Sequence, residues 1–238
     1  MNLLGILVSV VFIFFIIGLS SFLTKKKILT GESSRKFIHI GVSNWWIIAM
    51  IFYDNFIYAS IVPALFIIIN YASYKKNIFK SMERGKGKED LGTVYYAISL
   101  FILAIITFNF TTPYIGAMGI LVMGYGDGFA ALIGEKYGKM KVLFNKNKSL
   151  VGTFTMFFVS FFVAVLVSYF AGDSRIFINA LIIALVSSLI ELISPYGTDN
   201  LTVPLSASFI YYLMTLYWYI EKFFWGGFVE YFYRYIVK

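Results

Sequence analysis

The segment Pro113–Ile133, PYIGAMGILVMGYGDGFAALI, decides what kind of molecule this chain builds. It is apolar and long enough to cross a bilayer as a helix, which takes about 20 residues. Yet it holds Gly116, Gly119, Gly124, Gly126 and Gly128, and one carboxylate, Asp127, in their midst. Glycines let membrane helices approach closely or break, and a broken helix at membrane depth lines a cavity. The segment therefore predicts a broken, glycine-rich helix walling a polar cavity.

Working outward, further apolar runs at about 2–23, 38–53, 56–73, 91–109, 150–171, 176–194 and 203–221 predict an all-α polytopic transmembrane helical bundle of about eight spans. Runs 38–53 and 56–73 are separated by Asp54 and Asn55 and read as a tight helical hairpin. Run 2–23 has no basic segment ahead of it and ends in Lys25-Lys26-Lys27, which predicts a retained span rather than a signal peptide. The aromatic tail, 222–238, holds a Gly226-Gly227 pair and predicts an interfacial helix broken there.

Composition agrees. Of 238 residues, 60% are hydrophobic and 13% charged, where soluble domains carry about 25% charged residues. A soluble enzyme is excluded, and residues 1–238 are expected to form a single integral membrane domain. Without cysteine there is no disulfide or thiolate metal site, and one histidine, His39, excludes a multi-histidine centre. Sixteen of the twenty basic residues fall within 25–36, 75–88 and 136–148. The positive-inside rule turns those loops to the cytosol and leaves both termini outside. The net charge of +8 then suits lipid and nucleotide phosphates rather than nucleic acid. A preference for Lys, Asn and Ile fits an AT-rich bacterial genome, so a bacterial cell membrane is the expected location.

Among the twelve acidic residues, Asp127 and Glu191 are flanked by apolar helix. A carboxylate at mid-bilayer costs about 2.5–3.5 kcal/mol, so each needs a cation, a watered cavity or a chemical role. An interhelical salt bridge is the structural alternative. Downstream of Asp127 the chain runs through Gly134, Gly138 and a basic loop to Lys148-Ser149, just before a helix starting near Leu150. Lysine offers phosphate a point charge, a helix start is an anion site, and an Asp can hold Mg²⁺. Phosphoryl or nucleotidyl transfer needs these parts together. A positive-inside loop touching headgroups uses the same residues, and the pattern alone does not choose. No Walker A loop occurs.

Two further patches share the cytosolic side. Glu32, Arg35, Lys36 and His39 fall at i, i+3, i+4 and i+7, one helical face at the membrane surface. They suit a phosphate, or simply anchor a helix end. In Glu191–Leu205, Pro195 and Gly197 stop a helix, Asp199 and Asn200 follow, and Pro204 restarts it. Asp199-Asn200 and the pair Glu89-Asp90 are candidate ligands or plain helix caps.

Read together, ESSRK (Glu32–Lys36) with His39, KEDLGTVYY (Lys88–Tyr96), GYGDGFAALIGEKYGK (Gly124–Lys139), NKSLVGT (Asn147–Thr153) and Glu191 with SPYGTDNLTVPL (Ser194–Leu205) resemble the phytol, farnesol and dolichol kinase family of integral membrane enzymes. The match covers most of the chain in order, and DNLTVPL is especially similar to phytol kinases. The resemblance implies CTP-dependent phosphorylation of a membrane lipid alcohol with Mg²⁺. It implies Asp127 as metal ligand or base, Glu191 as the alternative base, and Asp199 as a second metal ligand. Arg35, Lys36, Lys141, Lys148, Ser149 and Asn200 become nucleotide or phosphate ligands, with Glu32, His39, Glu89 and Asp90 as further polar positions. The expected partners are CTP, a lipid alcohol and the bilayer, with a homodimer left open.

The family is related to CDP-diacylglycerol synthases, which share the Asp–Gly–Gly–Lys-Ser core. Those enzymes end in K-D-x-x-P-x-H-G-G-x-x-D-R-x-D, whereas this chain has SPYGTDNLTVPL. A cytidylyltransferase making a CDP-lipid is therefore the second choice, beside a CTP-dependent diacylglycerol kinase. A non-enzymatic transporter or scramblase is disfavoured because the polar residues crowd one side. The chain is shorter than dolichol kinases, which weighs against a very long dolichol and leaves a shorter prenol or a diacylglycerol open.

Overall fold

A computed structural model describes residues 1–76, 91–142, 145–195 and 197–235, with backbone alone at 146–147 and 225–235. The helices are α1 (Asn2–Lys25), α2 (Gly31–Ser43), α3 (Trp45–Phe52), α4 (Phe56–Lys76), α5 (Gly92–Phe110), α6 (Pro113–Leu121), α7 (Gly128–Tyr137), α8 (Leu150–Ala171), α9 (Ile176–Ile193) and α10 (Asp199–Tyr235). A π-helical turn, Val122–Asp127, joins α6 to α7. Six stretches among the described residues are long and apolar enough to cross a membrane: α1, α4, α5, α6 through α7, α8 and α9. The other two expected crossings fall on α2–α3, divided at Asn44, and on the first part of α10.

The apolar helices choose their inward faces by size. In α8 the buried side is Gly152, Met156, Ser160 and Ala164, one small or slender residue per turn. Phe154, Phe158 and Phe162 on the opposite side are exposed to lipid. In α1 Ser9, Ile13 and Ile17 face inward while Leu7, Val11 and Phe15 face outward. Between membrane helices there is no hydrophobic drive to associate, so close contact of small residues supplies the packing. The stretch α6–π–α7 is the central helix. Met118, Ile120, Val122 and Met123 have no exposed surface.

Four local expectations change. The glycine-rich span is not severed: its interruption takes the form of the π-helical turn, which keeps the backbone hydrogen-bonded. The basic loop after α7 contains an antiparallel hairpin, β1 (Lys141–Val142) with β2 (Asn145–Ser149). The last helix begins at Asp199, so Pro204 lies inside it rather than restarting it. The break expected at Gly226-Gly227 does not occur, and α10 runs through both residues. Glycine weakens a helix by about 1 kcal/mol without forbidding it. The turn at Asp54-Asn55 is where it was expected, with Asn55 Oδ1 capping the Ile57 amide at 3.0 Å. Asn2 Nδ2 donates to Asp54 Oδ1 at 2.9 Å, tying the start of α1 to that turn.

Candidate active site

The chain gathers its charges where helices begin or end on the opposite side from that turn. Arg35 and Lys36 stand in the first turns of α2, Lys148 immediately before α8, Glu191 in the last turn of α9 and Asp199 at the start of α10. Asp127 closes the π-helical turn, and its flanking glycines seat two neighbours against it. A Cβ on Gly128 would run into Ile40 of α2, and one on Gly126 would lie 2.6 Å from Met156 Sδ of α8. Branched or even methyl side chains here would push α2 and α8 off the carboxylate.

Within the cluster Lys36 Nζ donates to Asp127 Oδ2, and both side chains are about 3% exposed. His39 Nε2 lies 3.7 Å from the same oxygen. Lys148 Nζ bridges Glu191 Oε1 and Asp199 Oδ2, the latter at 3.0 Å. One oxygen from each of Asp127, Glu191 and Asp199 falls within 4.8 Å of the others. Three carboxylates thus face two lysines, which leaves the cluster one negative charge in excess. Burial lowers the charge preference of the Lys148 ammonium, but Asp199, Glu191 and Asp127 outweigh it and hold its pKa above the ordinary lysine value. Lys148 is also the most open of the five, with a fifth of its side chain exposed.

The hairpin explains how Lys148 arrives there. Asn145 Nδ2 donates to the Leu192 carbonyl at 3.0 Å, pinning β2 to the end of α9 beside Glu191. Leu150 N donates to Met140 O at 3.1 Å, closing the loop behind it.

The acidic trio offers only oxygen ligands, the set a hard divalent cation prefers. Glu191 Oε2 is buried and has no hydrogen-bond partner, which leaves that oxygen able to take up a proton or a cation. The composition of the trio fits Mg²⁺.

Other expected residues have different surroundings. Arg35 pairs with Glu32 one turn away and faces an apolar cleft rather than the acidic trio. Ser149 is 4% exposed, and its Oγ accepts from Gly152 N at 3.1 Å as the cap of α8. Lys141 is exposed on β1, in register with Ser149. Asn200 Nδ2 donates to Asp199 Oδ1 and to Gly197 O, both at 3.0 Å, so it orients a cluster carboxylate. Asp199 stands in the first turn of α10 and joins the cluster. Glu89 and Asp90 lie outside the described residues. Asn70 and Thr93 were missed: Asn70 Nδ2 donates to Thr93 O at 3.0 Å beside Arg35 and Asn200. An asparagine inside the apolar run of α4 was the available signal.

With this geometry in hand, the chain can be set beside known proteins. It is 35% identical over 199 residues to phytol kinase of Synechocystis sp., covering 82% of this chain and 85% of that one. It is 31% identical to probable phytol kinase 1, chloroplastic, of Oryza sativa, over 81% of this chain and 67% of the relative. It is 28% identical to phytol kinase 1, chloroplastic, of Arabidopsis thaliana, over 80% and 69% respectively. No family model matches the chain, and no solved structure does.

Proposed function

The chain belongs to the phytol kinase family, and from that premise we propose that its buried charged cluster moves the terminal phosphoryl group of CTP onto the hydroxyl of a phytol-type prenol. The enzyme is an integral membrane lipid-alcohol kinase acting on a prenyl alcohol with a nucleotide donor. The observation that carries the assignment of the site is the convergence of Asp127, Glu191 and Asp199 with Lys36 and Lys148. CTP as the donor rests on the resemblance of the Gly-Asp-Gly and Asn-Lys-Ser segments to cytidine-nucleotide enzymes.

In the proposed step the prenol oxygen attacks the γ-phosphorus. A new C–O–P linkage forms as the bond to the β–γ bridging oxygen breaks, and that electron pair leaves on CDP. Glu191 Oε2, buried and unpartnered, accepts the hydroxyl proton. Lys148 reaches the phosphates from the open side of the cluster, and its persistent charge offsets the negative charge gathering on the leaving oxygen. Lys36 holds Asp127 in place. Asp127 and Asp199 would hold Mg²⁺, which supplies charge neutralisation to the β- and γ-phosphates. Asn200 fixes the rotamer of Asp199. The sixteen basic residues of the three loops support a cytosolic face for the cluster and external termini.

The test uses the purified chain in lipid nanodiscs with CTP or ATP labelled in the terminal phosphate, against prenols and diacylglycerol. Labelled prenyl monophosphate with released CDP is expected. Pyrophosphate with a CDP-lipid would make the chain a cytidylyltransferase, and labelling of diacylglycerol alone would change the acceptor.

A further inference from the structure

Beside the charged cluster an apolar cleft opens among α1, α2, α4 and α5. Its walls are side chains of Ile13, Ile17, Trp45, Val62, Phe66 and Leu100. Its polar end carries Arg35, His39, Asn70, Thr93 and Asn200. The two sites meet at that end, since His39 Nε2 is 3.7 Å from Asp127 Oδ2 and Asn200 holds Asp199.

Three atoms at the polar end, His39 Nε2, Asn70 Oδ1 and Tyr96 Oη, are buried without a hydrogen-bond partner, and Trp45 Nε1 is a fourth at the other end. Their side chains are nine-tenths buried or more, where an unmet polar group is destabilising. Such atoms at the mouth of an otherwise apolar cleft call for a ligand that is polar at one tip and hydrocarbon elsewhere. The dimensions agree. Arg35 and Trp45 mark the two ends along α2 and the start of α3, a rise of about 15 Å. That is half the hydrocarbon thickness of about 30 Å, so a chain lying in the cleft occupies one leaflet.

We propose that this cleft is the acceptor site, holding the isoprenoid tail with its hydroxyl at the His39–Asn70 end, facing the carboxylates. The assignment rests on the lipid-kinase reading for the identity of the tail. Trp45, 1% exposed and packed edge-on to Trp46 at 6.0 Å, closes the far end. Acceptors with longer tails must bend out into lipid there.

The experiment has two arms in nanodiscs. In the first, a farnesol analogue with a diazirine at its tail end is photolysed on the wild-type chain and the labelled residues are mapped. Labels within 13–17, 45–66 and 97–100, removed by excess phytol, are expected. Labels confined to lipid-facing residues such as Phe154 and Phe158 would overturn the proposal. In the second, Ala97→Phe narrows the cleft at a residue that lines it and is 2% exposed. The KM for phytol should rise about tenfold or more while the KM for CTP stays unchanged. An unchanged KM for phytol in folded Ala97→Phe would also overturn it. If that variant does not fold, the photolabelling decides. Failure of the wild-type chain to phosphorylate any prenol removes the kinase reading instead, and the label pattern still shows whether the cleft takes a prenyl chain.

Discussion

Lys36 and Asp127 are 91 residues apart in sequence and meet in the interior with almost no exposed surface. A buried pair of this kind is costly to break from one side, by about 3–5 kcal/mol, because the survivor is left as an uncompensated charge. Lys36→Met should therefore lower the unfolding temperature in detergent more than the double variant Lys36→Met/Asp127→Leu does, and equal losses would contradict the pairing. Asp127→Asn keeps the shape and removes the charge. It should reduce phosphoryl transfer by about 10²–10³-fold, the usual cost of deleting a charge-stabilising group, with the protein still inserted. Near-normal turnover would take Asp127 out of the mechanism. Lys148 behaves differently because its pKa is raised. A group with a raised pKa stays protonated at every pH below that value, so Lys148 contributes no alkaline fall in the pH–rate profile below the ordinary lysine value of 10.5. A fall in that range that disappears in Lys148→Arg would show the opposite.

The element that positions Asp127 is the π-helical turn, and its neighbours depend on the missing side chains around it. A Cβ on Gly126 would meet Met156 Sδ at 2.6 Å and Ser160 Oγ at 2.7 Å. Gly126→Ala should cost about 1–3 kcal/mol by overpacking and lower turnover with it. Adding Met156→Ala should recover part of both, as read by thermal unfolding and the phosphate-transfer assay. No recovery would mean that Met156 is not what the glycine accommodates. The sequence shows why this segment is unusual, since an acid among glycines in an apolar run has few cheap explanations. It does not show the π turn, because the extra residue in the turn depends on α2 and α8 already being in place. Nor does it show the hairpin: Asn145 and Ser149 find their partners on α9 and α7, and no local pattern announces them. Asp199 reads in the sequence as cap or ligand alike, and the structure places it in the first turn of α10, paired with Lys148.

Across the whole molecule the helix ends sort into two sets, one rich in charge and one nearly bare. The absence of cysteine makes this directly testable. Lys26→Cys and Lys139→Cys should react with a membrane-impermeant maleimide only after the cells are opened. Asp54→Cys and Asp173→Cys should react on intact cells. Reaction of all four from outside would overturn the assigned orientation. Six of the about eight expected crossings coincide, among the described residues, with helices long and apolar enough to span, and their order was legible in composition because lipid leaves a chain few options. The long-range pairings were not, since they depend on which helices become neighbours.

The charged cluster draws on positions 36, 127, 148, 191 and 199, so Asp199 is the last piece to leave the ribosome. A nascent chain that stops just short of it has nearly all its crossings but lacks one of the five charged side chains of the cluster.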